Sequence, residues 1–185
     1  EAFGFASKHL QDTQPVRILD LGTGSGCILL SLLSEMPSAS GVGTDIAPLA
    51  IAQARANAAM LGMATRADFR HMSWCDQIES SFMPELFDII TSNPPYIEQN
   101  AVLMPDVANY DPAEAVYAGA DGLDAYRDLL PRLPMLMAPQ SRAFLEIGAH
   151  QSEAVGALAS SSGLSVCDIK TDLAGRDRCL ILTSE

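Results

Sequence analysis

The apolar run Val16 to Leu21 (VRILDL) passes directly into Gly22-Thr23-Gly24-Ser25-Gly26, and a helical pattern through Ile28, Leu29, Leu32, Leu33 and Met36 follows at once. A β-rich run that ends in three closely spaced glycines and opens a helix dictates a strand, a tight turn and a helix in immediate succession. Glycine admits the left-handed backbone such a turn needs and lets a ligand approach the main chain. A strand that leads into a crossover helix needs a parallel neighbour, so this one segment already points to a parallel sheet.

The rest of the chain repeats the alternation. Pro37 stops the first helix; Gly41 to Ile46 (GVGTDI) reads as a second strand; Pro48 opens an alanine-rich helix to Leu61, with Gly62 as its C-cap. Ala64 to Met72 gives a weaker third strand and Phe87 to Ser92 (FDIITS) a strong fourth. A helix over Leu123 to Met137 precedes a fifth strand, Arg142 to Ile147 (RAFLEI). A helix over Gln151 to Ser161, capped by Gly163, leads to strands at Leu164 to Thr171 and Arg178 to Thr183, separated by a turn around Gly175. The expectation is an α/β fold: a doubly wound, mostly parallel seven-stranded sheet covered by helices on both faces. The two closing strands lie too near each other for a crossover, so they form a hairpin and the last strand is antiparallel. With no internal repeat, low-complexity tract or linker, residues 1–185 read as one domain. The one long irregular stretch is Ile97 to Gly122.

Eleven Lys and Arg against 23 Asp and Glu give a formal net charge of −12, which disfavours a partner held mainly through phosphates. The longest apolar run, Cys27 to Leu33, is interrupted by Ser31 and is far shorter than the roughly 20 residues a bilayer requires, so no membrane span is expected. Cys27, Cys75, Cys167 and Cys179 are widely separated and form no CxxC pair, which reads as reduced structural thiols in a cytoplasmic protein. His71 and His150 take no role, and without two histidines and a carboxylate at ligand spacing no metal site is expected. The chain begins at Glu1 within a helical pattern, which suggests a segment upstream of it.

The chemistry concentrates at two places. Gly22, Thr23, Gly24, Ser25 and Gly26 give the spacing GxGxG, with Cys27 in the position of the last glycine of GxGxxG. That spacing suits a nucleoside-type ligand better than a dinucleotide whose pyrophosphate sits on the helix N-terminus. Asp45 ends the second strand about twenty residues on, where a carboxylate can accept hydrogen bonds from ribose hydroxyls. Trp74, the only tryptophan, follows the third strand; its ring is suited either to packing on an adenine or to anchoring the core.

Asn93-Pro94-Pro95-Tyr96 follows FDIITS directly, at the carboxyl end of a central strand, where doubly wound sheets bind ligands. The two prolines stiffen the loop and donate no backbone hydrogen bonds, which leaves carbonyls to accept, and Asn93 adds a side-chain oxygen. Such a site grips a planar NH2 group. A conjugated NH2 is a weak nucleophile because its lone pair is delocalised; acceptors on both hydrogens favour pyramidalisation and aim the pair at a methyl donor. In-line methyl transfer then depends on positioning, which is worth about 7–11 kcal/mol in well-oriented reactants. Tyr96 is placed to pack on the planar group or the cationic donor.

DLGTGSG, Asp45 and FDIITSNPPYI together resemble the class I methyltransferases, whose fold is Rossmann-like. The continuation DVANYDPAEAVYAGADGLDAYRDLL, with FLEIGAHQ and DLAGRDR, resembles the HemK/PrmC family of release-factor glutamine N5-methyltransferases, and the likeness covers nearly all of residues 15–182. It implies that Gly22 to Gly26, Asp45, Trp74 and Asn93 bind S-adenosylmethionine. Asn93 to Tyr96 would bind the target glutamine, in the GGQ motif of a peptide chain release factor, and Asn93, Pro94 and Tyr96 would carry the catalytic work. Ser73 departs from the pattern, since members often carry an acidic residue before the tryptophan. The family also has an N-terminal helical domain that recognises the release factor, which this chain lacks; Glu1 to Leu10 would be the first helix of the catalytic domain. Glu146 and Arg178 read as structural, and Met135 and Met137 as core filling. An N6-adenine methyltransferase of DNA or RNA is the competing expectation, because an adenine NH2 suits the same tetrapeptide.

Overall fold

Strands β1 (Arg17–Leu21), β2 (Ser40–Asp45), β3 (Ala67–His71), β4 (Phe87–Ser92), β5 (Met137–Glu146), β6 (Leu164–Thr171) and β7 (Asp177–Ser184) form one sheet in the order β3-β2-β1-β4-β5-β7-β6. The computed structural model describes residues 1–9, 15–74, 85–101 and 116–184, with residues 3 and 7–9 described by backbone alone. Every pairing from β3 through β5 is parallel; β7 runs antiparallel to both β5 and β6, as the short turn between the last two strands requires. Cys75 and part of the irregular stretch, residues 102–115, lie outside the described residues.

Helices α1 (Ala2–His9), α2 (Cys27–Glu35) and α3 (Pro48–Met60) accompany the first strands, and α4 (Asp124–Leu129), α5 (Leu133–Leu136) and α6 (Ser152–Ser161) the later ones. Strand alternation divides the interior into two clusters. Ile18 joins Leu29, Leu33, Ala54 and Phe69 on one face, while Leu19 and Leu21 join Tyr126, Leu129, Leu133 and Val155 on the other. β1 is buried along nearly its whole length, which explains why Ile18, Leu19 and Leu21 do not alternate with exposed polar residues. Truncating one of these buried leucines to alanine costs about 2–5 kcal/mol.

Four expectations change. The helix expected over Leu123 to Met137 is broken into α4, a 3₁₀ turn at Leu130–Arg132 and α5, because Pro131 and Pro134 each lack the N–H that a continuous helix needs. β5 begins at Met137, five residues before Arg142, and its register against β4 shifts between Phe87 and Ile89, near Gln140 in the left-handed region at φ 67°. β3 is shorter than its sequence pattern, since the main chain of Arg66 and Ala67 turns back to the Met63 carbonyl. Cys27 and Cys167 are exposed and Cys179 half-buried, so these three are not fully enclosed hydrophobes.

Candidate active site at the carboxyl edge of the sheet

Strand register places the candidate residues in one row. Leu21 pairs with Thr44 on one side and Ser92 on the other, so Gly22, Asp45 and Asn93 each stand one residue beyond matched positions. Ser92 pairs with Leu145, which brings Glu146 in beside Asn93, and Glu146 pairs in turn with Cys179 of β7. With strands about 4.8 Å apart, Gly22 and Asn93 are one strand spacing apart and Asp45 and Asn93 two. The glycine turn and the tetrapeptide therefore leave neighbouring strands at the same edge of the sheet.

The glycine turn is held from beneath by Asp20, which sequence reading leaves out although it stands inside the quoted motif. Asp20 is 1% exposed; one carboxylate oxygen accepts from Thr23 Oγ1 at 2.6 Å and the other from Thr91 Oγ1 at 2.7 Å. A further hydrogen bond comes from the backbone of Leu29, in the first turn of α2, a helix with no side-chain cap of its own. Burial raises the Asp20 pKa above that of an ordinary aspartate, against the lowering effect of these three bonds and with the charge of Asp45 adding to the rise. One buried carboxyl thus ties together the ends of β1 and β4 and the start of α2. Its only sequence signal is a carboxylate at a strand position flanked by core residues.

Gly22, Gly24 and Gly26 take φ of 71°, 55° and 80°, the left-handed region the sequence requires of them. Thr23 turns its hydroxyl to Asp20 and donates its N–H to the Thr44 carbonyl at 2.8 Å, while Ser25 is exposed. Asp45 bridges turn and strand: its Oδ2 accepts from Gly24 N and its Oδ1 from Ala47 N, each at 2.8 Å. Trp74 is half-buried against the core and lies over the turn, where a Cβ on Gly22 would sit 3.1 Å from Trp74 Cζ3. The indole therefore serves as a core contact and also as the wall above the first glycine.

In the tetrapeptide Asn93 is exposed, Pro94 buried, and Pro95 and Tyr96 half-buried. The Tyr96 hydroxyl donates to Glu146 Oε1 at 3.2 Å, and the Tyr126 hydroxyl donates to the Glu146 carbonyl at 2.8 Å. Burial first, then the charge of and hydrogen bond to Glu146, push the Tyr96 phenol above its usual pKa, while Arg178 pulls it down. Asn93, Ser92, Glu146 and Arg178 line a cavity of about 400 Å³ floored by Ile28 and Phe144. Arg178 also pairs with Asp172 at 3.4 Å. Glu146 thus meets the tetrapeptide directly, beyond the structural part expected of it. His71, at the far end of the row, pairs with the Ile46 carbonyl at 2.9 Å, and His150 is exposed. A second cavity, about 340 Å³, lies at the opposite end of the strands among Arg17, Ser40, Ala67 and Phe87, away from every candidate residue.

A glycine turn, an acid at the end of β2 and an Asn-Pro-Pro-Tyr loop at the end of β4, on this strand order, define a methyltransferase domain. Residues 5–109 match the family described as Methyltransferase small domain, and the chain belongs to that family. The resemblance to release-factor glutamine methyltransferases holds across most of the chain. The release factor glutamine methyltransferase of Rhodospirillum rubrum is 47% identical over 167 residues, 89% of this chain and 50% of that protein. That of Cereibacter sphaeroides is 45% identical over 163 residues, 87% of this chain and 57% of that protein. The chain thus spans about half the length of these curated relatives. Among solved structures, the O-methyltransferase NcsB1 from neocarzinostatin biosynthesis, in complex with S-adenosylmethionine and 2-hydroxy-5-methyl naphthoic acid, shares the fold with a TM-score of 0.63 at 17% identity, over 91% of this chain and 49% of that one. No helix among the described residues is long and apolar enough to cross a membrane.

Proposed function

We propose that the protein transfers a methyl group from S-adenosylmethionine to the side-chain amide nitrogen of a glutamine in a peptide chain release factor. The observation that carries this reading is the shared row of Gly22, Asp45 and Asn93, which supports a donor site and an acceptor site on neighbouring strands. The relatives named release factor glutamine methyltransferase support glutamine as the target and the release factor as partner. The cytoplasm, where such a substrate works, is the expected location.

In this reading the Asp45 carboxylate would accept from the donor's ribose hydroxyls, and Trp74 would wall the turn beside Gly22. Residues Gly22 to Gly26 give the donor close access to backbone. The target amide would enter from the β4 side, where its two N–H groups would donate to the Asn93 side-chain oxygen and to a carbonyl of the proline-stiffened loop. Held so, the nitrogen lone pair points at the donor methyl. The N–C bond forms as the S–C bond breaks; the sulfonium becomes a neutral thioether, and the amide nitrogen, which has gained a methyl and a positive charge, releases a proton to solvent. Tyr96 packs on the planar amide and Pro95 keeps the loop stiff. The step calls for orientation rather than a strong base, and well-placed reactants gain about 7–11 kcal/mol from that alone.

An adenine NH2 would satisfy the same acceptors, but a formal net charge of −12 works against a polyphosphate substrate. Incubating the protein with methyl-labelled donor and either a release factor or nucleic acid separates the two: label in the release factor supports the proposal, label in nucleic acid refutes it.

A further inference from the structure

Gln151 precedes α6 at the N-cap position and makes no side-chain cap to that helix. Its amide reaches back instead. Nε2 donates to the Tyr96 carbonyl at 3.0 Å and to the Gly122 carbonyl at 3.2 Å, and Oε1 accepts from Gly148 N at 2.9 Å. One planar group thus joins three segments: the tetrapeptide after β4, the turn before α4 and the turn after β5. Both amide hydrogens are engaged.

Two glycines make room for this amide. A Cβ on Gly122, which has φ 71°, would lie 2.5 Å from the Tyr96 oxygen and 2.8 Å from Gln151 Nε2. A Cβ on Gly148 would lie 2.8 Å from Gln151 Oε1, and Gly148 has no positive φ, so close approach rather than backbone conformation calls for glycine there. Tyr96 is then held at both ends from one region: its hydroxyl by Glu146 and its carbonyl by Gln151, five residues apart at the close of β5. The chain beyond is stitched down as well, with Ile97 N donating to Val116 O at 3.0 Å and Ala118 N to Ile97 O at 2.9 Å.

We propose that Gln151 is a positioning residue for methyl transfer: by fixing the Tyr96 carbonyl it sets the direction of the Asn93–Tyr96 loop and hence the alignment of the target amide. This rests on the proposed function and adds a residue that touches neither donor nor target. A small misplacement of an acceptor is enough to cost on the order of 100-fold in rate.

The test uses Gln151→Glu, which keeps the acceptor to Gly148 N but loses both donors, and Gln151→Met, which keeps the length and loses all three bonds. With release factor as substrate, kcat should fall 10- to 100-fold in both, on the order of what misalignment costs, while donor Kd stays within about twofold and the melting temperature changes little. Hydrogen exchange at the Ile97 and Ala118 amides should speed up while β1 stays protected. Unchanged kcat in both variants overturns the inference, and so does a parallel loss of donor affinity and melting temperature, which would mark a merely structural residue. Exchange is read without substrate: if wild-type protein methylates no release factor, the functional reading fails by itself, and unchanged exchange in the variants would overturn the Gln151 assignment separately.

Discussion

Ser92 Oγ donates to the Leu21 carbonyl at 2.8 Å, locking the ends of β4 and β1 together at the residues just before Asn93 and Gly22. The bond is buried and spans 71 positions of sequence. It makes the separation of the glycine turn and the Asn-Pro-Pro-Tyr loop a property of the sheet rather than of two loops, which suits the proposed reaction, since that depends on placement.

Asn93→Ala should reduce methyl transfer by on the order of 100-fold or more, as loss of one preorganised polar partner does in other active sites. Asn93 is exposed at a strand end, so the fold and most of the donor affinity should survive. Turnover and calorimetry on one preparation check both halves.

Asp45→Ala should weaken donor binding by about 1–3 kcal/mol through lost charge-assisted hydrogen bonds. Since Asp45 also accepts from Gly24 N and Ala47 N, Asp45→Asn should fall between the two, keeping one acceptor oxygen for these amides. Calorimetry giving equal affinity for all three proteins would contradict the assignment.

Asp20→Ala should destabilise the protein by about 1–3 kcal/mol for each interior donor left unpaired. The pH dependence has a definite sign. The folded-state pKa of Asp20 is raised above the ordinary 3.8, so its contribution is fully present below that value and is lost as pH rises through the folded pKa. The stability of wild type relative to Asp20→Asn, followed by thermal melts, should therefore decline as pH is raised from about 4; a rise over that range would contradict the account.

Trp74 is the only tryptophan, so its emission reports on the glycine turn. Adding donor should change it. In Gly22→Ala, whose Cβ would sit 3.1 Å from the indole, emission should already differ without donor and respond less to it. A titration in which wild-type emission stays constant as donor binds would remove Trp74 from the site.

Much of this was legible in the sequence because the strands that carry it are short β-rich segments, buried along most of their length, and the motifs sit directly at their ends. The start of β5 is less legible, because Pro139 and Gln140, the latter at φ 67°, interrupt the strand pattern between Met137 and Arg142. Asp20 and Gln151 were not legible as site supports for another reason. Their partners are Thr91, 71 residues away, and Tyr96, 55 residues away, and no local spacing encodes such contacts. Glu146 falls between these cases, since its place at a strand end was visible but its bond to Tyr96 was not.

The most direct test of paired donor and acceptor sites is mass spectrometry of a release factor after incubation with S-adenosylmethionine and the protein. The account predicts one added methyl on a single glutamine side chain, strongly reduced at equal incubation time when Asn93→Ala replaces wild type. A release factor left unmodified by a protein that binds the donor, or modified equally by the variant, would contradict it.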